Sequence, residues 1–124
     1  MAERLLKKLV KDRKIKGIKV FSKGTCATGE NITENAKIVL AEFGASDRDR
    51  KSIRLRKIES DVLYIAVTEK IKNQINGRVI CIKDLIGCDV LDPYGRSIEV
   101  YRETAYQLDK ANRVLLDKIL NLRS

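Results

Sequence analysis

Apolar residues in the first stretch, AERLLKKLVKDR at positions 2–13, return every three or four places as Leu5, Leu6, Leu9 and Val10, with lysines and arginines elsewhere. That is the period of an amphipathic helix. Gly17 is expected to end it, and Ile18-Lys19-Val20-Phe21 offers a short strand before the turn signals at Gly24 and Gly29. A second helix is predicted over Glu34–Phe43, capped by Thr33 or Asn31, with Ala36, Val39, Leu40 and Phe43 as its core stripe. Gly44 stands where a left-handed C-terminal cap is expected. The charged stretch SDRDRKSIRLRKIES that follows has only Ile53, Leu55 and Ile58 to bury and reads as a surface connection with a weak helical turn.

The period then changes. Asp61-Val62-Leu63-Tyr64-Ile65-Ala66-Val67 is a nearly continuous apolar run of strand length, as expected for a parallel strand covered on both faces. A short helix over Thr68–Ile75 turns at Asn76-Gly77 into a second apolar strand, Val79-Ile80-Cys81-Ile82. After a turn over Asp89–Ser97, a long helix is predicted from Ile98 to Leu122 on the stripe Ile98, Tyr101, Ala105, Leu108, Ala111, Leu115, Ile119 and Leu122. Ser97 is its expected N-cap, and Glu99 suits the positive end of the helix dipole. Strands alternating with helices imply an α/β fold with a parallel sheet, right-handed crossovers and ligands at the carboxyl ends of the strands.

The totals narrow this picture. A chain of 124 residues, 44% hydrophobic with one proline, suits a single domain spanning 1–124 and able to bury about two thirds of its unfolded surface. No run approaches the roughly 18 consecutive apolar residues of a membrane span, so the expectation is a cytosolic protein with no membrane partner. The net charge of +9 is lopsided: residues 1–60 carry 16 Lys/Arg against 8 Asp/Glu, and residues 61–124 carry 10 against 9. Clustered lysine and arginine raise the question of nucleic acid. With six aromatic residues and no stacking motif, a solvated basic face outweighs that reading. Three cysteines without a short paired spacing fit a reducing compartment; with no histidine, and Cys81 and Cys88 seven residues apart, no zinc pattern can be assembled, no cofactor is implied, and a histidine-dependent triad is excluded.

The stretch DVLDPYGRSIEVYR at 89–102, leading into a long amphipathic helix, closely resembles the C-terminal signature of low-molecular-weight protein tyrosine phosphatases, nearest to the bacterial branch with protein-arginine phosphatases and arsenate-reductase-like members. Other segments fall in the family's order: Met1-Ala2-Glu3 at the opening of its first helix, Ile18 to Gly24 at its second strand, DVLYIAVTE at 61–69 as its third strand, and Lys83-Asp84-Leu85 before the aspartate loop. The resemblance implies a three-layer α/β fold with a parallel sheet of order 2-1-3-4, and a phosphomonoester hydrolase acting on phosphorylated protein. By the same match Asp92 is the general acid that protonates the leaving oxygen, and Tyr94 lines the mouth and stacks on substrate. Read without the match, Asp-Pro-Tyr-Gly is an ordinary turn sequence.

The family's nucleophile lies in a Cys-x5-Arg-Ser/Thr loop placed immediately before the position matched by Met1, so the first strand and that loop are expected to be missing from this chain. No internal cysteine replaces it: six residues after Cys26 is Ile32, after Cys81 is Gly87 and after Cys88 is Tyr94. Cys81 reads as a buried strand residue and Cys88 as a loop thiol. An incorrectly chosen start codon would account for this N-terminus, and a truncated pseudoenzyme is the alternative. Without the first strand, segments 18–22 and 61–67 are expected to pair directly or through another chain, and the exposed sheet edges allow a dimer. The competing reading is a non-catalytic basic module that binds phosphorylated protein, nucleic acid or another anionic partner through residues 1–60.

Overall fold

The computed structural model describes residues 1–20, 33–45, 62–76, 78–90 and 92–123. In chain order these form α1 (Ala2–Asp12), α2 (Glu34–Glu42), β1 (Tyr64–Ala66), α3 (Glu69–Lys72), β2 (Val79–Cys81), α4 (Ile82–Ile86) and α5 (Ile98–Arg123). The charged connection at 46–60, Asp61, Gly77, and the expected turns at Gly24 and Gly29 with Cys26 between them lie outside the described residues.

α5 follows from its apolar spacing. Tyr101, Ala105, Leu108, Ala111, Leu115 and Leu116 are all buried, while Arg102, Glu103, Tyr106 and Lys110 face water. Against this stripe pack α1, α2 and α4, which bring Leu5 from α1, Ala36, Val39 and Leu40 from α2, and Ile82 from α4 into one core. Polar contacts fix the register of these helices. Asn112, buried on α5, donates to the carbonyl of Ala2 at 3.3 Å, and Arg13 reaches Asp117 at 3.0 Å. On the other flank Arg102 forks onto Glu42, Nε to Oε1 and Nη2 to Oε2, both at 2.9 Å, and the Thr33 hydroxyl donates to the Tyr101 oxygen at 3.1 Å.

α2 starts and stops where its residues direct. The Thr33 side chain accepts from the Ala36 N–H at 3.3 Å, and Gly44 at φ +73° closes the helix as Ala45 N donates to the Leu40 carbonyl. α1 ends in the same pattern without a glycine. Lys14 takes φ +54°, its N–H donates to Lys11 and the N–H of Ile15 donates to Val10. The helix therefore stops at Asp12, several residues before the expected Gly17, because two paired carbonyls offset the strain of a lysine in the left-handed region.

The sheet consists of β1 and β2 in parallel, with Tyr64 opposite Val79, Ile65 opposite Ile80 and Ala66 opposite Cys81. Residues 18–20, the described part of the expected strand, belong to no ladder among the described residues, so the direct pairing expected between segments 18–22 and 61–67 is not present between residues 18–20 and 62–67. β1 has one ladder partner among the described residues, and it is not covered on both faces as its composition suggested: Tyr64 and Ile65 are half-buried and Leu63 is 37% exposed. α3 is also shorter than expected, closing at Lys72 where Asn73 and Gln74 turn back onto Glu69 and Ile71.

Two outcomes follow from these helix ends. Replacing Lys14 by glycine removes left-handed strain while keeping both capping bonds, and is expected to stabilise the protein by about 0.5–1 kcal/mol in urea denaturation; an unchanged or lower midpoint contradicts the cap assignment. The Arg102 hydrogen bond, opposed by slight desolvation and aided by the guanidinium charge, holds the Glu42 carboxyl below its ordinary 4.5. A carboxylate with a depressed folded pKa adds stability above its unfolded pKa and loses it as pH falls through the folded value. A carbon-detected NMR titration should therefore place the Glu42 midpoint below 4.5 and move it back up in Arg102→Ala, whereas a midpoint indifferent to that substitution breaks the pairing.

Candidate functional site

The segment between α4 and α5 carries the residues singled out by the sequence. Gly87 ends α4 at φ +85°, its N–H bonded to the Lys83 carbonyl at 2.8 Å, and turns the chain toward Asp89. One oxygen of Asp89, Oδ1, accepts from the backbone N–H of Glu69 at 3.3 Å and lies 3.9 Å from the Sγ of Cys81. Glu69 opens α3 just after β1, and Cys81 is the last residue of β2. Asp89 thereby joins the segments leaving the carboxyl ends of both strands, the edge where parallel α/β folds place their ligands. Val90 is buried and anchors the chain again before the exposed turn.

In that turn Asp92 is exposed, and its Oδ1 accepts from the Tyr94 N–H at 3.1 Å. Arg96 N donates to the Pro93 carbonyl at 2.8 Å, closing a turn over Pro93-Tyr94-Gly95-Arg96. Gly95 holds φ +74°. No neighbour lies within 4 Å of where its Cβ would stand, so backbone conformation rather than crowding selects glycine here. Tyr94 is 77% exposed and projects its ring into solvent. Ser97 then enters α5, its carbonyl accepting from Val100 at 3.1 Å and Tyr101 at 3.3 Å.

Asp92 and Tyr94 thus share one turn. One carboxylate oxygen organises the turn, and Oδ2 has no hydrogen bond among the described residues. An exposed carboxyl oxygen of this kind can carry a proton to a leaving group or take one from water. Among the described cysteines, Cys81 is fully buried in β2 and Cys88 is exposed, with its Sγ 4.0 Å from Gln107 Nε2. Among the described residues no cluster of three or more Cys, Asp or Glu could hold a metal ion, and no helix is long and apolar enough to cross a membrane.

Two features of this region escaped the sequence reading. α4 is a single short helix begun where the Asp84 carboxylate accepts the Cys81 N–H at 3.2 Å, and its signal was Asp84 three residues into the turn with Gly87 behind it. The tie from Asp89 to Glu69 spans twenty positions, and no local pattern announces it.

Comparison with known proteins agrees with this geometry. The sequence profile described as low molecular weight phosphotyrosine protein phosphatase matches residues 1–123. The low molecular weight protein-tyrosine-phosphatase PtpB of Staphylococcus haemolyticus is 27% identical over 117 residues, covering 87% of this chain and 81% of that protein. Among solved structures, the YwlE arginine phosphatase from Geobacillus stearothermophilus superposes with a TM-score of 0.80 at 28% identity, over 98% of this chain and 84% of that one. The low molecular weight protein tyrosine phosphatase from T. tengcongensis gives a TM-score of 0.83 at 27% identity, over 94% and 88%. Matched by the family profile almost from end to end, the chain belongs to the low molecular weight phosphotyrosine protein phosphatase family.

Proposed function

We propose that this chain carries the acid half of a cytosolic phosphomonoesterase for phosphorylated protein, with Asp92 as general acid and base and Tyr94 at the mouth of the site. The exposed carboxylate of Asp92, held in the turn that enters α5, is the observation that carries this reading. In the reaction a thiolate attacks phosphorus, the bond from phosphorus to the leaving atom breaks (oxygen in phosphotyrosine, guanidine nitrogen in phosphoarginine), and Asp92 supplies the proton with which that atom leaves as a phenol O–H or a guanidine N–H. The resulting carboxylate then takes a proton from the water that displaces the thiolate from phosphorus. Relatives described as tyrosine phosphatases and as arginine phosphatases both lie near this chain, so the phosphoryl group is proposed to sit on tyrosine or arginine. Two free cysteines, Cys81 and Cys88, support a reducing compartment.

The nucleophile is not among these 124 residues. The positions six beyond Cys26, Cys81 and Cys88 are Ile32, Gly87 and Tyr94, none of them an arginine able to hold phosphate opposite the thiolate. The purified 124-residue protein is therefore expected to show no cysteine-dependent hydrolysis of aryl phosphates. Turnover abolished by alkylating a cysteine would refute that expectation.

The role of Asp92 is tested separately, in a chimera that places the first strand and Cys-x5-Arg loop of a family member before Met1. Asp92→Asn is expected to cut kcat by about 10²–10⁴ on phenyl phosphate, whose leaving group needs a proton, and by much less on p-nitrophenyl phosphate, whose leaving group does not. Equal losses on the two substrates would remove Asp92 from the acid role.

A further inference from the structure

The N–H groups that open a helix have no partner within it, and α3 satisfies two of them from different parts of the chain. The side chain of Thr68, its N-cap, accepts from the Ile71 N–H at 3.3 Å. The N–H of Glu69, the first residue of α3, donates instead to Asp89 Oδ1 at 3.3 Å, twenty positions further on. The element that carries this donor is braced against α4. Lys83 of α4 reaches the Glu69 carboxylate at 3.5 Å, and Lys72 of α3 reaches Asp84 of α4 at 3.4 Å. Asp84 also accepts the Cys81 N–H at 3.2 Å, at the end of β2. Asp89 therefore docks on a unit made of both strand ends and the helices that follow them.

We infer that Asp89 is a positioning residue: its bond to the Glu69 N–H anchors the chain three positions ahead of Asp92 and so holds the Asp92 carboxylate in its turn. The inference rests on the reading of Asp92 as the acid and adds the residue through which the fold sets that acid's place. Asp89 is itself exposed, so burial does not keep it there; the hydrogen bond does. Val90 beside it is buried, but one buried side chain leaves the chain free to pivot, and a second point of attachment removes that freedom. Asp89 acts through Asp92 and is not assigned a contact with substrate.

The Tyr94 N–H, bonded to Asp92 Oδ1 at 3.1 Å, reports the arrangement, because a carboxylate is a stronger acceptor than its protonated form. In heteronuclear NMR of the 124-residue protein, the Tyr94 amide shift is expected to follow ionisation of Asp92 and to stop doing so in Asp92→Asn. Asp89→Ala should reduce the amplitude of that titration by about twofold or more, and Asp89→Asn, which keeps an acceptor oxygen, should retain most of it. Glu69→Pro removes the same bond from its other end. Proline is tolerated at the first position of a helix, and Thr68 before it already has the extended backbone that a following proline requires, at φ −136° and ψ 160°. This variant should reproduce the loss seen in Asp89→Ala, and the double variant should lose no more than either alone. Glu69→Ala drops the ion pair to Lys83 but keeps the N–H, and Asn112→Ala removes the tie from α5 to Ala2. Both should leave the amplitude unchanged, whereas an effect of stability alone would follow the stability lost in each variant. A Tyr94 amide indifferent to Asp92, an unchanged titration in Asp89→Ala or Glu69→Pro, additive losses in the double variant, or an equal loss in Asn112→Ala would overturn the inference. Hydrolysis enters none of these measurements, so failure of the anchor and failure of the acid role of Asp92 in the chimera are told apart.

Discussion

The apolar stripe of α5 is the constraint on which the other elements depend. Among the described residues β1 and β2 contribute three residues each, and strands this short need a covered hydrophobic face to be stable. What covers and orders the molecule is one helix presenting Tyr101, Ala105, Leu108, Ala111, Leu115 and Leu116 in succession. α1, α2 and α4 each bury their own apolar residues against it. Ala105 and Ala111 are small residues on the buried stripe, and Leu108, Leu115 and Leu116 fill the space around them, as dense interior packing requires. Fully burying each of those leucines is worth about 1.5–3 kcal/mol.

That arrangement also explains how the Asp92 turn is held. Its downstream end is the first turn of α5, fixed by Tyr101 in the core and by the fork of Arg102 onto Glu42. Its upstream end is fixed by buried Val90 and by the Asp89 carboxylate on Glu69 and Cys81. Between two anchored ends the chain needs only Pro93 and a left-handed Gly95 to form a tight turn. Asp92 is thus presented to solvent from a turn restrained at both ends.

What could be read from the sequence was what local chemistry controls. Thr33 and Gly44 bracket α2 because a hydroxyl cap and a glycine in the left-handed region are unambiguous signals. The stripe from Ile98 onward fixed α5, and the DPYG turn fixed the position of Asp92. Where a stronger competing interaction decided the outcome, the sequence misled. Lys14 ends α1 although lysine is no usual left-handed residue, because two capping bonds outweigh the strain. Ile82 continues the apolar run of β2 yet begins α4, because Asp84 captures the Cys81 N–H. Residues 18–20 have strand composition but no ladder partner among the described residues, and composition alone does not form a strand. The bond from Asp89 to Glu69 depends on the fold having already formed.

If α5 is the element on which the others rest, shortening one buried side chain at its centre should weaken all of its neighbours together. Native-state hydrogen exchange on Leu108→Ala tests this most directly, since Leu108 is 4% exposed and lies within the shared core. The account predicts a loss of about 2–5 kcal/mol in global stability, with amide protection falling in α1, α2 and α4 as one unit. Protection lost from α5 alone, with α1 and α2 exchanging as before, would contradict it.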